Sequence, residues 1–215
     1  MNRNTLGQEA WLSDLVTGSI DPEIRQRLSG LSSALDIGCA TGLTLLNLHY
    51  AFGTPHCEGV DEISETTATN RALKMLADKG ITPSEHSLEA LWSIVKTDDS
   101  DVIQQITERS LFRKRLHLTY SVDACDYDCQ LPEYGLVVVS NVLHYLSFTK
   151  AKRLLDKMRS VLGATSIVYV RIRTDFSHRE MERMEIIGLC NQMAAEWGLR
   201  RYDHSDGVSH TFTNL

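Results

Sequence analysis

Ala34-Leu35-Asp36-Ile37-Gly38-Cys39-Ala40-Thr41-Gly42 is the stretch that decides the fold of this chain. Its first four residues, apolar except for Asp36, form a short buried-strand pattern. Two glycines four residues apart then make a turn, and Leu43, Leu45, Leu46, Leu48 and Tyr50 continue with helical spacing. Strand, glycine turn and helix in that order are the first half of a βαβ unit. Gly38 and Gly42 carry no Cβ, so the backbone can turn sharply there and approach a ligand closely. The free N–H groups of the following helix face the same point.

Outward from this unit, strand and helix patterns alternate. Cys57-Glu58-Gly59-Val60-Asp61 reads as the second strand and Ser64 to Ala77 as the helix after it. Leu116 to Val122 is a third strand, and Leu136-Val137-Val138-Val139 has the unbroken apolar character of a central parallel strand covered on both faces. Lys150 to Leu162 is a helix, Ser166 to Ile172 a fifth strand, and Met184 to Trp197 a helix closed by Gly198. Leu199 to Tyr202 and Val208 to Phe212 flank Ser205-Asp206-Gly207 as an antiparallel hairpin at the sheet edge. The fold class is therefore α/β: a doubly wound, mostly parallel seven-stranded sheet with a C-terminal antiparallel hairpin and helices on both faces. Residues 1–33 read as an N-terminal helical cap, with an apolar stripe at Trp11, Leu12 and Leu15, and a second helix opened by Asp21-Pro22 and stopped by Gly30. Residues 34–215 are the main domain. Within it, residues from about 81 to 115 form a helical insertion whose stripes (Leu88, Leu91, Trp92 and Val95; Val102, Ile103 and Ile106) call for burial, on the domain or in a homo-oligomer.

Composition narrows the function classes. A chain of 215 residues with 42% hydrophobic content supports one core, and its net charge of −6 argues against a nucleic-acid groove. The polar N-terminus and the absence of a long apolar run argue against a signal peptide or a membrane span, so a cytoplasmic location is expected. Five cysteines without framework spacing read as reduced thiols. Cys125 and Cys129 lack the further donors a closed zinc site requires, and His204 and His210 read as surface residues of the hairpin, so no metal is expected.

Ligands of an open α/β sheet bind at the carboxyl ends of the strands, where strand order reverses. Asp61, ending the second strand, is placed to accept hydrogen bonds from two ribose hydroxyls. A carboxylate suits a neutral diol and repels a phosphate. The Gly-x-Gly-x-x-Gly fingerprint of nucleotide-dependent oxidoreductases is not met, because Leu43 follows Gly42.

These segments resemble the class I, Rossmann-like S-adenosylmethionine-dependent methyltransferases. Leu35 to Gly42 looks like the family's first motif, and Gly59-Val60-Asp61-Glu62-Ile63-Ser64 is similar to its second strand and acidic tip. Val122-Asp123-Ala124 resembles the segment beside the adenine, and Leu136 to Leu146 the fourth strand with its exit turn. The resemblance implies an enzyme that binds S-adenosyl-L-methionine through Asp36, Gly38, Cys39, Ala40, Gly42, Asp61, Glu62, Asp123, Ala124 and Asn141. Asp36 would orient the turn and reach the methionine amino group, Gly38, Ala40 and Gly42 would line that moiety, and Asp61 would hold the ribose. Asp123 and Ala124 would flank the adenine, and Asn141 would lie near the sulfonium. Gly135 stands where the family often has an acidic residue, so local loosening is expected there.

Transfer from a sulfonium needs alignment above all, and a base only when the acceptor must lose a proton. His144 and Tyr145, just past the fourth strand, are the candidates, with packing at a helix start as the competing duty of His144. Ser140-Asn141-Val142-Leu143 lacks the Asn-Pro-Pro-aromatic pattern of enzymes that methylate amino groups of bases or glutamines. A small-molecule acceptor is the first expectation and a protein side chain the second. Arg171 and Arg173, two apart on the fifth strand, raise the option of an anionic acceptor. The rival readings are a cofactor-binding interaction module without turnover and, behind it, a nucleotide-dependent oxidoreductase.

Overall fold

Seven strands form one mixed sheet in the computed structural model, which describes residues 22–40, 42, 44–45, 48–49, 53–78, 116–172, 181–204 and 207–214. The strands are β1 (Ser33–Ile37), β2 (His56–Asp61), β3 (Leu116–Tyr120), β4 (Tyr134–Ser140), β5 (Leu162–Arg171), β6 (Arg200–Asp203) and β7 (Ser209–Thr213). Their order is β3-β2-β1-β4-β5-β7-β6. The first five run parallel, and β7 pairs antiparallel with both β5 and β6. The helices are α1 (Pro22–Ser29), α2 (Glu65–Asp78), α3 (Phe148–Arg159) and α4 (Arg183–Trp197), with a 3-10 turn over Leu143–Tyr145. Residues 44–45 and 48–49 are helical as well. This is a doubly wound, Rossmann-like architecture with an antiparallel pair at one side.

Successive side chains of a strand point to opposite sides, and in the middle of the sheet, at β1, β4 and β7, both faces are buried. On one face Leu35, Ile37, Val137, Val139, Val168, Val170 and Phe212 pack with Leu154, Leu155 and Met158 of α3 and Ile186, Leu189, Cys190 and Met193 of α4. Leu136, Val138, Ile167 and Tyr169 belong to the other set and are equally buried. Helix α1 buries Ile24 and Leu28, and its Arg27 donates to Thr213 Oγ1 at 3.3 Å, tying it to β7.

Several expected boundaries move for local reasons. Strand β3 stops at Tyr120, two residues before the expected Val122, because Ser121 turns at φ 61° and its amide bonds the Ile63 carbonyl. Helix α3 starts at Phe148, two residues before Lys150, capped by Ser147 accepting from the Lys150 amide. The hairpin does not simply add an edge: β7 is interior and only β6 is outermost. Gly135 brings no loosening. Its amide donates to Ser33 Oγ at 3.1 Å, and a Cβ there would come within 2.8 Å of Leu31 Cδ2, so a larger residue would not fit without rearrangement. The 81–115 insertion, the Trp11 stripe, the Asp21 cap and Arg173 lie outside the described residues.

Candidate functional site

Strand order reverses between β1 and β4, which makes the crevice at their carboxyl ends the topological switch point. The turn leaving β1 is built for this place. Gly38 has φ 73°, and its missing Cβ would stand 2.2 Å from Val142 Cγ2, so the turns after β1 and β4 close on each other only because residue 38 has no side chain. The amides of Gly38 and Cys39 both donate to the Val60 carbonyl, at 2.8 and 3.1 Å, and the Gly42 amide returns to the Cys39 carbonyl at 2.7 Å. Ala40 takes a left-handed φ of 48°, a conformation with a cost for any residue carrying a Cβ.

Asp61 binds this turn to the tip of β2. Its Oδ2 accepts from the Ala40 amide at 2.7 Å and its Oδ1 from the Ile63 amide at 3.0 Å. The residue is 9% exposed. Each carboxylate oxygen has a second lone pair, so both can still accept a hydroxyl. Asp36 is buried one strand away, level with Gly59 of β2. The Cys39 side chain lies against Gly59, and burial, reinforced by Asp36 and Asp61, holds its thiol well above the ordinary range. Glu62 is exposed beside Asp61.

The segment after β3 supplies the next group. Asp123 Oδ1 accepts from the Cys125 amide at 2.9 Å, and Oδ2 pairs with Lys150 Nζ at 2.8 Å. The Lys150 hydrogen bond, helped by the Cys125 amide, holds Asp123 below the usual carboxylate range. Ala124 is half-buried next to it. After β4, Asn141 adopts φ 58°, donates its amide to the Arg171 carbonyl at 3.0 Å, and leaves its buried Oδ1 without a hydrogen-bond partner. The topology thus brings Asp36, Gly38, Cys39, Ala40, Gly42, Asp61, Glu62 and Asn141 to one edge of the sheet, with Asp123 and Ala124 on the flank beyond β2.

The two candidate bases separate. His144 is 1% exposed, its ring centre lies 4.1 Å from that of Tyr145 with the planes tilted by 46°, and its carbonyl accepts from the Met181 amide. Tyr145 is 47% exposed. Arg171 is buried at the carboxyl end of β5, opposite Ser140. His210 corrects the surface expectation. It is buried, with Nδ1 2.7 Å from Asp203 Oδ1, because β7 is an interior strand. His204, also drawn inward, meets Thr211 Oγ1 at 2.7 Å. Among the described residues no three ligating groups converge as a metal site. No helix among them is long and apolar enough to cross a membrane. All five cysteines are free, and burial pushes the Cys57 and Cys190 thiols up to about 12.

Two features escaped the sequence reading. Glu58, on β2, is 0% exposed and accepts from Tyr134 Oη and from the Gln130 amide at 3.0 Å, with His56 Nε2 3.1 Å away. A lone carboxylate inside a strand of otherwise buried residues was its signal. The second is the row Lys150, Arg153 and Lys157 on α3, whose helical spacing was visible but whose partners were not.

No protein-family model and no curated protein matches the chain by sequence. Solved structures do match. The N-methyltransferase NodS from Bradyrhizobium japonicum WM9, solved in complex with S-adenosyl-L-homocysteine, aligns with TM-score 0.56 at 16% identity over 99% of this chain and 89% of its own. The methyltransferase domain of bacterial CtHen1 aligns with TM-score 0.55 at 17% identity over 94% and 99%. An O-methyltransferase family protein from Burkholderia thailandensis aligns with TM-score 0.54 at 10% identity over 93% and 54%. The chain also spans 51% of a StiE O-MT chain, at TM-score 0.48 and 15% identity. At these identities the likeness establishes the fold.

Proposed function

We propose that this chain binds S-adenosyl-L-methionine at the β1/β4 switch point and transfers its methyl group to a small molecule. The observation that carries the reading is Asp61: a buried carboxylate at the tip of β2, fixed from behind by the Ala40 and Ile63 amides, with lone pairs left for a ribose diol. The left-handed Gly38 and Gly42 and the unpartnered Asn141 Oδ1 at the same edge suit the methionine end. The cofactor supplies a methyl group on a sulfonium, an excellent leaving group. The protein's own work is to exclude water and align the acceptor. Asp36 and Asn141 would orient the methionine end, and Asp123 with Ala124 would receive the adenine. Of the two aromatic candidates, Tyr145 is the one an acceptor can touch, whereas the burial of His144 favours a packing role. Arg171, at the end of β5, would face an anionic group of the acceptor only if its present contacts open.

Calorimetry with S-adenosyl-L-homocysteine and with NADH tests the cofactor. Micromolar-range binding of the first and none of the second is expected, and the reverse result would overturn the reading. Release of labelled methyl product against small hydroxy and carboxylic acids, and against peptides, then tests turnover. Binding without product from any acceptor would favour the interaction-module reading.

A further inference from the structure

Helix α3 carries Lys150, Arg153 and Lys157 at intervals of three and four, so the three side chains leave one face of the helix. Each meets the segment that joins β3 to β4. Lys150 Nζ pairs with Asp123, Arg153 with Asp126, and Lys157 Nζ donates to the carbonyls of Cys125, at 3.3 Å, and of Tyr127. Three cations thus grip four residues of the stretch from Asp123 to Tyr127. From the other side Glu58 accepts from the Gln130 amide and from Tyr134, so the segment is held at both ends.

Both oxygens of Asp123 are engaged by the protein, Oδ1 by the Cys125 amide and Oδ2 by Lys150, and the Cys125 thiol also hydrogen-bonds to the carboxylate. A carboxylate so engaged stays an acceptor only. It welcomes an amine and repels a carbonyl oxygen. We propose that Lys150 is a positioning residue that holds the Asp123 carboxylate toward the exocyclic amine of adenine, and that Arg153 and Lys157 clamp the segment in that pose. This rests on the cofactor reading above. Lys150 selects the 6-amino over the 6-oxo purine without touching either. Its ion pair is about one-third exposed, with side-chain exposures of 38% and 35%, so salt weakens the selection.

The test uses the full chain and two probes, S-adenosyl-L-homocysteine and its 6-oxo analogue S-inosyl-L-homocysteine, in calorimetry at low and high salt. Wild type is expected to prefer the adenosyl probe, with the preference falling as salt rises. Lys150→Met is expected to bind the adenosyl probe about fivefold more weakly, to lose less against the inosyl probe, and to show no salt dependence of the ratio. Lys150→Arg is expected to restore the preference. Lys150 is exposed enough that the variant should keep its melting temperature. If Lys150→Met keeps both affinities, or weakens both probes equally, the proposal is overturned while the cofactor site stands. If wild type binds neither probe, the cofactor reading itself fails and takes the proposal with it.

Discussion

The amide of Ala40 donates to Asp61 Oδ2 at 2.7 Å, across 21 positions of sequence, so the carboxylate that ends β2 also shapes the turn that leaves β1. One residue therefore serves two parts of the proposed site. It offers free lone pairs to a ligand and holds a non-glycine residue in a left-handed conformation.

Asp61→Ala is accordingly expected to weaken S-adenosyl-L-homocysteine at least tenfold by calorimetry. Loss of a hydrogen-bonded carboxylate at a polar ligand costs on the order of 1.5–3 kcal/mol. Asp61→Asn should retain part of the turn while losing the charge, and so fall between the two. Equal affinity of wild type and Asp61→Ala would remove Asp61 from the site.

Glu58→Gln is expected to lower stability by about 2 kcal/mol in urea titrations, because a buried acceptor with several donors becomes an amide that cannot satisfy them all. Burial alone would push the Glu58 carboxyl up. The hydrogen bonds from Tyr134, Gln130, Tyr127 and His56 outweigh it and hold the group below its ordinary value of 4.5. A carboxyl depressed in the folded state stabilises at pH above its unfolded value, and that stability is lost as pH falls through 4.5 and on through the folded value. Wild type should therefore lose stability more steeply than Glu58→Gln below pH 4.5. Parallel acid limbs would show that Glu58 is not held ionised.

His210 makes the opposite kind of contribution. Burial, with help from Arg201 and Arg183, pulls it below its ordinary 6.5 despite the Asp203 carboxylate. The folded state therefore favours the neutral ring. Stability from this group is complete above pH 6.5 and is lost as pH falls from there toward the folded value, since the unfolded chain takes up the proton first. His210→Asn should flatten the melting-temperature profile just below pH 6.5. Asp203→Asn should extend the slope to lower pH, because it removes the anion that supports the charged ring. A profile unchanged in His210→Asn would discard this account.

The sheet and the glycine turn at its switch point were legible in the sequence because they depend on local pattern. A strand, Gly38 and Gly42, and then a helical spacing permit one kind of unit, and the β-branched run Val137-Val138-Val139 belongs in the middle of a parallel sheet. Asp61 stood out because a charge ending an apolar strand has few other uses. What the tertiary structure decided depends on partners distant in the chain. Glu58 meets Tyr134 and Gln130 some seventy residues away, and no periodicity announces such a pairing. His210 read as a surface residue of a terminal hairpin, yet β7 inserts between β5 and β6, and an interior strand buries alternate side chains on both faces. Gly135 read as a loosened position until the fold laid Leu31 over it. Periodicity says which way a side chain points relative to its own element; only the packing of elements says what it meets there.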